Sequence, residues 1–230
     1  MTEFEIIWHG HSCFSIIDKS SGYTITLDPF KPETGRLKKP DIQSDLVLAT
    51  HDHFDHANVE AVAKWDAVKL VGFVGDRSIN HVKIRGIETY HDEEGGKRRG
   101  KNSVYVINVN DGVFVHLGDL GHILTDDQVS KINGFGRIDV LFVPVGGVYT
   151  IGPEDAVKVI KQLNPRIAIP MHYYHETLNR TVFKNLAKLN DFLERWDGPK
   201  KKVTENKILI DTETLPEVTT VYILKWPESR

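Results

Sequence analysis

The chain has 230 residues, 27% of them charged and 40% apolar, with a net charge of −3. That balance is ordinary for a globular protein and gives no electrostatic case for binding nucleic acid or an anionic membrane surface. No apolar run is long enough to span a bilayer, and MTEFEIIWHGHSCF lacks the basic start and apolar core of a signal peptide. A single cysteine, Cys13, excludes an internal disulfide and suits a reducing compartment, so the expected location is the cytoplasm.

In chain order, FEIIW (4–8), CFSII (13–17) and YTITLD (23–28) read as short strands, broken at Gly10 and Gly22. Residues 29–43, with three prolines, read as a surface loop, and DLVLAT (45–50) as a strand buried on both faces. NVEAVAKW (58–65) places Val59, Val62 and Ala63 at helical spacing, and KLVGFVG (69–75) returns as a strand. GIETY leads to His91 as a strand, and residues 92–102 form a charged, glycine-rich loop expected to be mobile. SVYVINV (103–109) and VFVHLG (113–118) flank Asn110-Asp111-Gly112, a strong hairpin signal.

VLFVPVGG (140–147) is another buried strand. The helix after it starts near Pro153, with Glu154 and Asp155 suiting its N-terminal dipole and Ala156, Val157, Val159, Ile160 and Leu163 on one face. RIAIPMH (166–172) is a strand that Pro170 is expected to end. A second amphipathic helix carries Val182, Phe183, Leu186, Leu189, Phe192, Leu193 and Trp196, and the tail returns to strands at ILID and TTVYIL. No break in composition separates these elements, so one mixed α/β domain over 1–230 is the expectation.

The eleven histidines set against one cysteine prompt a search for convergent ligands. THDHFDH (50–56) directly follows a buried strand. His51 and His53, two apart, project to one side of an extended backbone, while Asp55 and His56 follow as the chain turns. That arrangement suits two metal ions better than one. Three further groups close strands: His91, Asp119 and His172. Asp119, the only carboxylate of these three, is the natural bridging group.

The series His51-x-His53-x-Asp55-His56, His91, Gly118-Asp119 and His172 is similar to the ligand series of the metallo-β-lactamase superfamily. WHGHSCF, LDPF, GDLGH, VGG and PMHYYHE more closely resemble the branch of metal-dependent hydrolases related to L-ascorbate-6-phosphate lactonases. The resemblance implies an α/β fold, an αββα sandwich of two mixed β-sheets with helices on the outer faces. It implies one metal held by His51, His53 and His91 and a second held by Asp55, His56 and His172, with Asp119 bridging. The donors suit two divalent ions, Zn2+ ahead of Mn2+ or Fe2+. The oxygen-reducing diiron branch has a glutamate where this chain has His53, which favours a hydrolase.

The activity implied is hydrolysis of a small-molecule lactone, ester, amide or phosphodiester by a metal-bridging hydroxide, with Asp55 orienting the nucleophile. The alternatives are a nucleic-acid phosphodiesterase of the same fold and a non-catalytic metal-binding sensor. A small-molecule substrate is expected, with no nucleic acid, no membrane, and a homo-oligomer left open. His11, Asp28, His122 and His175 are candidates for contacting the substrate or supporting the ligands, each with a purely structural role as the alternative. Asp52 either supports a ligand imidazole or faces solvent. Lys97, Arg98, Arg99 and Lys101 are read as a solvated charge run rather than an anion site.

Overall fold

The computed structural model describes residues 2–228. Alternation shapes the first sheet: β1 (Glu3–Gly10) buries Phe4, Ile6 and Trp8 and turns the residues between them outward. β2 (Cys13–Asp18) and β3 (Thr24–Leu27) add antiparallel, and β4 (Ser44–Ala49) and β5 (Ala63–Val71) then add parallel. β6 (Gly75–Ile79), β7 (Val82–Tyr90), β8 (Lys101–Val109) and β9 (Gly112–His116) make an antiparallel meander in the second sheet, with the tight turn at Asn110–Asp111 where the hairpin signal puts it.

α1 (Asp126–Ile132) leads to β10 (Val140–Pro144), followed by α2 (Pro153–Leu163) and β11 (Ile167–Met171); β10 runs parallel between β9 and β11. Every residue of β10 is buried, and α2 turns Ala156, Val159, Ile160 and Leu163 inward. α3 (Arg180–Phe183) and α4 (Leu189–Leu193) precede β12 (Lys200–Lys202), β13 (Lys207–Asp211) and β14 (Thr220–Ile223). The outcome is a six-stranded sheet, β13-β1-β2-β3-β4-β5, against an eight-stranded one, β12-β14-β11-β10-β9-β8-β7-β6.

The sheets meet through aromatic rings: Phe4 stands edge-on to Phe114 with centroids 4.9 Å apart, and Phe14 lies 4.3 Å from Phe142. This is the two-sheet sandwich the motif series implies. Among the described residues the α-helices all follow β9, and the chain that builds β1 to β5 carries only 3-10 turns.

Several local expectations are corrected. Residues 58–65 are not a helix: Val59–Ala61 is one 3-10 turn, and β5 starts at Ala63. Pairing with β4 wins over the helical spacing, and the register skips from Ser44↔Ala63 to Leu46↔Val68, so residues 64–67 bulge outward. The stripe from Val182 to Trp196 is two short helices rather than one. The backbone of Ala187 donates to Gly146 O (2.7 Å) and accepts from Tyr174 N (2.8 Å), which diverts it from an intrahelical ladder.

Pro170 lies inside β11 opposite Val143 instead of ending it; pairing to β14 stops at Ala168, so no neighbour on that side needs a donor there. The loop after His91 is shorter than expected and closed on itself, because the Asp92 carboxylate accepts from the backbone N–H groups of Glu94, Gly96, Arg98 and Arg99. Burial raises the Asp92 carboxyl, but these four donors outweigh it and hold the group at about 2.

One side chain ties the two sheets together beside the polar motif. The Tyr105 hydroxyl, on β8, donates to Ala49 O at the end of β4 (3.0 Å) and accepts from Phe73 N (2.9 Å). Tyr105→Phe removes the acceptor of Phe73 N. It is expected to lower stability by about 1–3 kcal/mol in urea unfolding with an unchanged denaturant slope. A midpoint equal to the wild type would refute this tie.

Candidate metal centre

Seven candidate ligands are brought to one edge of the sandwich by the ends of four strands. β4 runs into THDHFDH, which turns back at once through His56 N and Ala57 N, both donating to His53 O. β7 ends at His91, β9 leads through Gly118 to Asp119, and β11 delivers His172. Gly118 has φ +56 and packs so tightly that a Cβ there would lie 2.4 Å from Asn102 Oδ1 and 2.6 Å from Thr50 Cβ. The same Asn102 Oδ1 accepts from Asp119 N at 2.9 Å, which fixes where the carboxylate begins.

Asp119 lies at the middle, only 2% exposed. Its Oδ2 faces His91 Nε2 (3.0 Å) and His51 Nε2 (3.9 Å), and its Oδ1 faces His56 Nε2 (3.3 Å) and His172 Nε2 (3.4 Å). Ligand atoms of His51, His53 and His91 lie within 4.8 Å of one another, as do those of His51, His56 and Asp119, and those of Asp55, His56, His172 and His11. His53 is the exposed member, with its ring centroid 4.4 Å from that of His51.

Hydrogen bonds behind the rings decide which nitrogen faces the centre. His56 Nδ1 donates to Asp28 Oδ2 at 2.7 Å, since a carboxylate only accepts. The Thr50 hydroxyl also donates to Asp28 Oδ2 (2.9 Å), so its oxygen accepts from His51 Nδ1 (3.0 Å). His91 Nδ1 donates to the carbonyl of Tyr149 at 2.7 Å. All three rings therefore carry their proton on Nδ1 and turn the Nε2 lone pair toward Asp119. His51 Nε2, His56 Nε2 and Asp119 Oδ1 are buried with no hydrogen-bond partner among the described residues. Lone pairs facing a carboxylate across 3 to 4 Å repel unless a cation lies between them, and imidazole nitrogens with carboxylate oxygens are a fitting donor set for a divalent one.

The carboxylates draw positive charge onto two of these rings, and burial keeps it off the third. Burial by itself lowers the His56 imidazole, but Asp119, Asp55 and Asp28 push it well above its ordinary value. Burial likewise opposes, and Asp119 drives, a rise at His91. Burial, then His56, brings His51 down to about 3. Asp119 itself, which burial raises, is held well below the usual carboxylate range by His172, His56 and His91.

Four supporting candidates separate cleanly. Asp28 is buried and orients His56 directly and His51 through Thr50. His11 joins the cluster, with Nε2 3.0 Å from Asp55 Oδ2 and its ring centroid 4.1 Å from that of His172. His122 does not reach it: Nδ1 donates to Ile123 O (2.8 Å) and Nε2 accepts from Tyr90 N (3.2 Å), so both nitrogens serve the backbone. His175 also stays outside, stacked 4.0 Å from Trp226 and bonded to Thr177 Oγ1. Asp52 is exposed and faces solvent.

Backbone strain gathers here too. Of the seven non-glycine residues with positive φ among the described residues, Asn80, Asn110 and Asn164 belong to a type that tolerates it. Of the other four, His11 (φ 52), Asp28 (φ 46) and His172 (φ 52) belong to the cluster or support it, and Val148 (φ 61) precedes Tyr149. At roughly 1–3 kcal/mol each, such conformations persist only where the surroundings over-determine them. A cavity of about 200 Å³ opens onto the site, lined by His53, Asp55, His91, Asp119 and His172 together with Phe54, Arg99, Tyr149, Val182 and Phe183. Tyr149 and Arg99 were not legible as site residues: Tyr149 acts on His91 through a carbonyl any residue would supply, and Arg99 lies in a run of four cations.

Residues 5–172 match the Beta-lactamase superfamily domain. A protein of Methanoculleus marisnigri named a metal-dependent hydrolase is 31% identical over 230 residues, covering 85% of this chain and 98% of its own. Another so named, from Thermoplasma acidophilum, is 29% identical over 196 residues, covering 75% and 84%. Among solved structures, a candidate Zn-dependent hydrolase of the metallo-β-lactamase superfamily from Thermotoga maritima superposes with a TM-score of 0.73 at 36% identity, over 96% of this chain and 100% of that one.

Asp28→Asn keeps the shape but presents one acceptor oxygen where two served Thr50 and His56. It is expected to weaken metal affinity by roughly 10–100-fold, read by competition with a chromophoric chelator. Wild-type affinity in this variant would remove Asp28 from the ligand-orienting role.

Proposed function

The chain belongs to the β-lactamase superfamily and is a metal-dependent hydrolase, and from that premise we propose that it works as one hydrolase domain with two divalent ions. His51, His53 and His91 would hold one ion and Asp55, His56 and His172 the other, with Asp119 shared between them. The observation that carries this reading is the division of Asp119, whose Oδ2 faces His91 and His51 while Oδ1 faces His56 and His172. The donor set, imidazole and carboxylate without thiolate, supports Zn2+ ahead of Mn2+ or Fe2+. When bound, such ions supply Lewis acidity toward a carbonyl or phosphoryl oxygen and bring the pKa of water from 15.7 toward roughly 7.

The chain's own groups do the rest. Asp55 borders the cavity, and His11 Nε2 at 3.0 Å holds its carboxylate in one orientation, so that it is placed to accept a hydrogen bond from attacking water and aim it. Burial raises the Asp55 carboxyl, but His56 and His11 together hold it well below the usual range, so it is ionised and acceptor-only at neutral pH. Phe54, Val182 and Phe183 give the cavity an apolar wall. The cavity of about 200 Å³ supports a small-molecule lactone, ester, amide or phosphodiester as substrate rather than a nucleic-acid strand. No helix among the described residues is long and apolar enough to cross a membrane. The buried free thiol of Cys13 is in keeping with the cytoplasm.

Reconstituted protein is expected to hold close to two equivalents of metal by elemental analysis. It should lose turnover on chelation, and gain roughly 2.7 kcal/mol of stability per site at a free ion concentration 100 times Kd. A screen of lactones, esters, amides and phosphodiesters identifies the bond cleaved. Asp119→Asn is expected to cut hydrolysis by about 100-fold or more and to lower metal loading. Fewer than one equivalent after careful reconstitution, or wild-type turnover in Asp119→Asn, would overturn the binuclear reading.

A further inference from the structure

Four cations follow His91 in close succession, and the fold gives them different fates. Arg98 pairs with Glu94, Lys101 Nζ lies 2.6 Å from Glu88 Oε2, and Lys97 is exposed and outside the cavity lining. Arg99 alone of the four lines the cavity, beside His53, His91 and Asp119, and its guanidinium makes no ion pair among the described residues.

Arg99 is also held in place. Its backbone N–H donates to Asp92 Oδ2 at 2.8 Å, within the clamp that closes the loop. Its guanidinium carbon lies 5.2 Å from the centroid of the Tyr149 ring. Tyr149 is fixed in turn, its hydroxyl donating to Val182 O at 3.0 Å and its carbonyl accepting from His91 Nδ1 at 2.7 Å. This contact uses no N–H donor in a hydrogen bond, so the guanidinium, a planar fork of donors with no acceptor, is available to a ligand. Phe54, Val182 and Phe183 make the rest of the wall apolar.

Resting on the proposed hydrolase reading, we infer that Arg99 is a specificity-determining residue for a substrate that carries a second oxyanion, a carboxylate or phosphate, remote from the bond that is cleaved. The reacting group lies at Asp119, an apolar stretch runs along Phe54 and Phe183, and the oxyanion meets the guanidinium edge in a paired, charge-assisted contact.

The test is calorimetric binding to the Zn2+-loaded protein and needs no turnover. The probes are butyrate, the dicarboxylates succinate, glutarate and adipate, and 3-phosphonopropionate. The best-fitting doubly anionic probe is expected to bind at least roughly tenfold tighter than butyrate, one charge-assisted pair being worth about that factor. In Arg99→Ala that advantage should shrink to within about twofold, with butyrate affinity and metal content unchanged; Arg99→Lys should restore only part of it, since an ammonium lacks the fork. Whether a dicarboxylate or the phosphonate gains more decides between carboxylate and phosphate. No advantage in the wild type, or an advantage that survives Arg99→Ala, overturns the inference. A failure of the metal reading looks different: the probes bind no tighter with Zn2+ than without it, while Arg99→Ala still weakens the doubly anionic ones.

Discussion

The Asp119 carboxylate is a charge kept almost wholly from water and faced by four imidazole nitrogens at 3.0 to 3.9 Å. An isolated ion so placed is strongly disfavoured, and neutral rings presenting lone pairs make matters worse. Positive charge shared among these donors resolves the conflict. The strand ends of β4, β7, β9 and β11 are the means by which two sheets of different connectivity deliver donors to that one point. Gly118 and Asn102 set the starting point of Asp119, so the most expensive group in the site is also the most closely held.

Behind the donors lies a layer that decides proton positions. Asp28 serves two rings, His56 by contact and His51 by way of Thr50, and a main-chain carbonyl serves His91. These acceptors act before any ion arrives, because each leaves its ring with a single available lone pair in a single direction. The left-handed backbone at His11, Asp28 and His172 belongs to the same arrangement. Each of these residues sits where the chain leaves a strand, and the side chain needed there is imidazole or carboxylate, so glycine cannot relieve the strain.

Local signals were legible where local forces decide the outcome. The alternation of β1, the turn at Asn110–Asp111 and the Pro153 start of α2 all follow from residue chemistry within a few positions. α1 had a readable signature, Thr125 and Gln128 in a reciprocal capping box, but its short apolar face hid it. Residues 58–65 and 182–196 misled because partners far along the chain, Ser44 in one case and Gly146 in the other, claimed backbone groups that periodicity assigns to helices. In the site, His51, His53, Asp55, His56, His91, Asp119 and His172 were visible because few residue types bind metal and strand ends expose them. His122 and His175 were indistinguishable from them in sequence, since what removes each is a bond to the backbone, a threonine hydroxyl or a stacked ring.

Tyr149 does two jobs with two different parts of itself. The part that steers His91 is a peptide carbonyl, which mutation of the side chain leaves in place; the part that supports Arg99 is the ring. Drift at this position can therefore reshape what the cavity admits while the imidazole beside it keeps its aim. A scaffold wired this way separates the inheritance of its chemistry from the inheritance of its taste.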